Sequence, residues 1–156
     1  MKKAIFIILL IVTVVSSCKN TEKQKETKNL KEAKQEHVEG VLNTQWTNDI
    51  VLNNGGKWEA NIETTKGVEE MQELLKSQTT ISLEDYHQLA NKLNNTKNIV
   101  IKECTMKGES HDNLHIWLLP LMEKIKALSK TKTVEEASKS KHHITENINA
   151  YFDYFE

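Results

Sequence analysis

The chain has 156 residues, a formal charge of −1 and 28% charged residues. That length supports one domain with a real core. The near balance of 21 basic and 22 acidic residues, with no basic face, argues against nucleic-acid binding.

The chain opens MKKAIFIILLIVTVVSSC, with Lys2 and Lys3 ahead of an almost wholly apolar run over residues 4–15. About twelve apolar residues fall short of the roughly twenty that a membrane-spanning helix needs. The pattern is that of a signal peptide over residues 1–17. Val15-Ser16-Ser17-Cys18 resembles the lipobox of bacterial lipoproteins, with Val15 in place of the commoner Leu. The resemblance implies acylation of Cys18, which becomes the mature N-terminus, and a protein of the cell envelope facing the periplasm or the cell surface. Several acyl chains on one residue give a stable membrane anchor. Removal of Lys2 and Lys3 takes the formal charge from −1 to −3. It also leaves Cys104 as the only free thiol, so no intrachain disulfide can form.

Residues 18–40 hold the lipidated Cys and a run of Lys, Glu, Gln and Asn that has too little apolar surface to bury, and they read as a polar tether. Residues 41–62 carry Trp46, Ile50, Val51, Leu52 and Trp58 around Asn53-Asn54-Gly55-Gly56. The glycines mark a turn, and the segment reads as irregular with its tryptophans against the rest of the domain.

From residue 63 the apolar spacing is helical. Val68, Met71, Leu74 and Leu75 share one face. Ser82 and Asp85 mark a helix start, and Tyr86, Leu89, Leu93, Thr96, Val100 and Cys104 then recur every three or four residues. Gly108 breaks the period, and Ser110 is the expected N-cap of the next helix. Its face is Leu114, Leu118, Leu121, Met122, Ile125 and Leu128. Pro120 removes the hydrogen bond to the Ile116 carbonyl and predicts a kink. Thr133 and Glu136 predict a capping box before Val134, Ala137, Ile144, Ile148, Tyr151 and Phe155, with Lys141 the one polar interruption. A single proline and five glycines suit helices better than strands. Four amphipathic helices with short links over residues 63–156 predict an all-α, antiparallel up-down four-helix bundle.

The chemistry concentrates in ECTMKGESHDNLHIWLLPLM, residues 103–122. Cys104 ends one helix, Met106 lies in the connection, and His111 and His115 stand at i and i+4 near the start of the next. Imidazoles at that spacing can share an ion, with about 5–6 Å between their Cβ atoms. Thiolate and thioether favour copper, and one Cys, one Met and two His form the donor composition of blue-copper sites. Zinc held by Cys104, His111, His115 and a further ligand is the alternative, with Met106 then a packing residue. Glu109 or Asp112 could accept from an imidazole N–H behind the metal, and His142 could turn inward as an additional supporting group. Noncovalent haem is a third reading, since no CxxCH is present. Each residue also has a plain role: Cys104 and Met106 as core contacts, the histidines as ordinary helix residues, His37 and His87 as surface groups.

HDNLH has the spacing of the HExxH zinc-peptidase helix, but Asp112 replaces the glutamate base and no third ligand follows, so no enzyme is expected. The competing function is a protein-interaction module of the envelope, which would expose Trp46, Trp58 or Trp117 in an apolar patch. GGKWEAN (55–61), TTKGVEEM (64–71), CTMKGESHDNLHIWLLPL (104–121) and YFDYF (151–155) together resemble a group of small uncharacterised lipoproteins of Gram-negative bacteria, with a CTMxGxxHxxLHxWLxP-type motif. That resemblance implies a helical lipoprotein with a functional cluster, and no particular reaction.

Overall fold

The computed structural model describes residues 44–156; the signal segment, Cys18, the tether and His37 lie outside them. A 3₁₀ turn, Gln45–Asn48, precedes four helices: α1 (Ile62–Ser77), α2 (Leu83–Glu103), α3 (Glu109–Leu128) and α4 (Val134–Tyr154). Each helix packs on the next, and α4 closes the ring on α1, giving the four-helix bundle. Among the described residues no helix is long and apolar enough to cross a membrane.

The predicted stripes are the core. Val68, Met71, Leu89, Leu93, Val100, Leu114, Leu121, Leu128, Ile144, Ile148 and Tyr151 are all buried. Burying side chains of this kind gives about 1.5–3 kcal/mol each. Val134, the first residue of α4, is the exception: at 44% exposed it lies outside the core. Helix α3 runs through Pro120 without a break.

Local chemistry sets the helix ends. Ser82 and Asp85 form a complete capping box, and the Ser82 N–H and hydroxyl hold the Asp85 carboxyl below its usual pKa. At α4 the Thr133 hydroxyl accepts from the Glu136 N–H, but the Glu136 carboxylate reaches past Thr133 to the Lys132 N–H at 2.9 Å. The expected N-cap of α3 is corrected. Gly108, with φ +62°, takes that position, and Ser110 lies inside the first turn with its hydroxyl on the Lys107 carbonyl. Only glycine adopts such a φ without strain, so the chain there turns on its backbone and not on a side-chain cap.

The segment before α1 is tied down by hydrogen bonds. Asn53 and Gly56 exchange two bonds of 2.9 Å across Asn54 and Gly55, both with positive φ, which is a type I′ turn. Beyond it, the Trp58 N–H donates to Tyr154 O, the Glu156 N–H to Trp58 O and the Ala60 N–H to Glu156 O. This short parallel pairing joins the two ends of the domain and is invisible to a helical reading of the chain.

Helices α1 and α2 meet closely at Gly67, where an added Cβ would overlap the buried Val100 Cγ2. Gly67→Ala should therefore lose about 1–2 kcal/mol in urea denaturation despite alanine's better helix propensity. Val100→Ala in the same background should recover part of that loss by non-additivity.

Lys124 is the unexpected core residue, 1% exposed. Its ammonium donates to Asn147 Oδ1 at 2.6 Å. Burial lowers its pKa from 10.5 to about 8, against the pull of the Glu146 charge. A depressed lysine makes the unfolded chain bind more protons between the two values, so stability rises with pH from about 8 upward. Tyr151 has the opposite sign and acts higher: burial lifts its hydroxyl from 10 to about 12, opposed by the Thr65 hydrogen bond, so that contribution is lost above pH 10. Urea midpoints should rise between pH 8 and pH 10, by up to about 2 kcal/mol in stability, and Lys124→Met should abolish that rise.

Candidate metal-binding site at the start of α3

The connection from Cys104 to Gly108 is held from α1. The Asn61 amide donates to Glu103 O at 3.0 Å and accepts from the Thr105 N–H at 3.3 Å and the Thr64 hydroxyl at 2.7 Å. On its other side α3 is pinned by Asn113, 6% exposed, whose Oδ1 accepts from the Val51 N–H and whose Nδ2 donates to Glu109 O, both at 2.9 Å. Val51 O in turn accepts from the Trp58 indole at 2.7 Å. Neither asparagine stood out in the sequence. The available signal was an Asn beside the apolar stripe, where a buried amide must find partners on two elements.

On this frame α3 presents His111, half-buried, and His115, exposed. Their ring centroids are 4.3 Å apart with planes tilted by 54°. The structure thus brings two of the four predicted donors together. The other two sit at the adjoining connection and pack against the core: Cys104 is a half-buried free thiol at the C-cap of α2, and Met106 is likewise half-buried. Among the described residues, no group of three or more His, Cys, Asp or Glu side chains is disposed to hold a metal ion.

The supporting residues are placed differently from the expectation. Glu109 and Asp112 line clefts beside Trp58, and no hydrogen bond joins either to His111 or His115 among the described residues. The larger cleft, of about 500 Å³ and open to solvent, is edged by Lys57, Glu59, Lys107, Glu109, Ser110 and Glu156. His142 stands on α4 with its Nε2 3.3 Å from Glu146 Oε1, and His143 meets the other oxygen of that carboxylate at 3.1 Å. His87, expected at the surface, is half-buried with Nε2 3.1 Å from Thr131 O.

The tryptophans form no exposed patch: Trp46, Trp58 and Trp117 are 7%, 9% and 0% exposed. The Trp117 indole donates to Asn147 O, and Trp46 packs edge-on to Tyr154. The four stretches singled out in the sequence all contribute here. Residues 58–60 pair with 154–156, Asn61 holds the 104–108 connection, and the Thr65 and Tyr151 hydroxyls are 3.0 Å apart. No protein-family model, curated protein or solved structure matches this chain.

Asn61→Ala should test how the connection is held. Loss of these bonds, and of the Asn61 amide's bond to Glu63 Oε2 at 2.9 Å, should cost about 1–3 kcal/mol. It should speed amide exchange at Thr105 while leaving Leu89, in the middle of the core, as protected as the lower global stability allows.

Proposed function

We propose that this chain is a lipid-anchored helical protein of the cell envelope that binds a soft transition metal, with copper favoured, for sequestration, delivery or sensing. In this reading acyl chains on Cys18 hold it at the membrane, residues 18–40 act as a spacer, and the bundle is a binding module without catalytic groups.

The observation that carries the metal reading is the His111–His115 ring pair, 4.3 Å apart on consecutive turns of α3. Both rings project from a helix fixed at its start, so little freedom is lost when an ion joins them. Imidazole suits Cu and Zn. Cys104 and Met106, at the adjoining connection, are the sulfur donors that this reading adds for Cu(I).

Titration of the purified chain in detergent, with Cu(I) under reducing conditions and with Cu(II) and Zn(II) in the absence of reductant, tests the reading. His115→Ala should weaken binding at least about a hundredfold, since loss of a ligand exceeds the 10–100-fold effect of a supporting group. Its helix content should not change, because the ring is exposed. Equal affinity in the variant and the parent would refute the assignment.

A further inference from the structure

Two imidazoles do not complete a metal site. Zinc takes four ligands in a tetrahedron, and Cu(II) four in a tetragonal plane. Among the described residues, no third His, Cys, Asp or Glu side chain is placed with the pair to hold an ion. Cys104 and Met106 pack against the core, and the nearest carboxylates on α3, Glu109 and Asp112, line the clefts beside Trp58. His142 and His143 share Glu146 on α4.

The face that carries the pair is open. His115 is exposed, and Leu119, one turn further along the same strip, is 58% exposed. An isolated exposed leucine needs no explanation by itself. Beside an incomplete pair of ligands it offers an apolar contact to whatever approaches that strip.

Resting on the metal-binding reading, we infer that the site is completed by a second copy of this chain. Two α3 helices would meet about a two-fold axis through the ion, each contributing His111 and His115. A self-complementary contact of this kind brings the same donors from both sides, so one surface strip supplies four equivalent imidazoles. The resulting ligand set is all nitrogen, which suits Zn(II) and Cu(II) better than Cu(I). The ion would then act as the link between copies, making association dependent on metal and on protein concentration.

Sedimentation of the full chain in detergent, with Zn(II) and separately Cu(II) added in substoichiometric steps, tests this. The expected result is a doubling of protein mass that saturates at one ion per two chains. Chelation should reverse it, His115→Ala or His111→Ala should abolish it, and Cys104→Ser should leave it unchanged. A monomeric complex of one ion per chain that is lost in Cys104→Ser would overturn the inference while leaving the metal-binding reading intact. A dimer indifferent to metal and to His115→Ala would also overturn it. No bound ion in any form would remove the metal-binding reading itself, and the shared site with it.

Discussion

The bundle depends on a buried polar lock between α3 and α4. The Trp117 indole donates to Asn147 O at 2.8 Å, and Asn147 Nδ2 returns a bond to Trp117 O at 3.3 Å. Its Oδ1 accepts from the Lys124 ammonium at 2.6 Å. Apolar stripes alone would tolerate sliding by a turn, since one leucine fills much the same space as another. A buried amide and indole do not, because a shift would leave several polar groups without partners at about 1–3 kcal/mol each. The lock thus fixes the register of the last two helices, with a buried lysine charge as the accompanying cost.

Register has consequences at the other end of α4. With Asn147 fixed, Tyr151 falls under Trp117, their ring centroids 5.0 Å apart, and Phe155 stacks on Tyr151 at 4.8 Å. The backbone of residues 154–156 is then in position to pair with residues 58–60. That pairing seats Trp58, whose indole holds Val51, whose N–H meets Asn113 on α3. A chain of ring contacts and hydrogen bonds therefore runs from the middle of the bundle back to Asn113, near the start of α3.

The bundle was legible in the sequence because helix periodicity and capping are local. Leu89, Leu93 and Val100 announce one face by spacing alone, and Ser82 with Asp85 announces its start. The lock was not legible, because a lysine and an asparagine between apolar positions usually reach solvent, and only the facing helix shows that they do not. Gly108 was legible as a break but not as a cap, since its role rests on a positive φ that no residue pattern reveals. The pairing of residues 58–60 with 154–156 is non-local, and periodicity says nothing about it. At the site, the i, i+4 rule placed His111 and His115 together from the sequence alone. Where Cys104 and Met106 point depends on how the backbone leaves α2, which is extended at Cys104 and held there by Asn61, the N-cap of α1.

The two histidines differ from the residues that build the frame around them. Asn61, Asn113, Trp58 and Tyr151 are all bound into the frame. His111 and His115 stand on its outer flank, with their rings against each other and no hydrogen bond to the rest of the domain among the described residues. An imidazole pair with so little structural employment is free to exchange partners without disturbing the core, while the frame beneath keeps the two rings in place. That division separates stability from ligand binding: changes at the pair should act on what approaches α3, and changes at the asparagines should act on the bundle end that presents it.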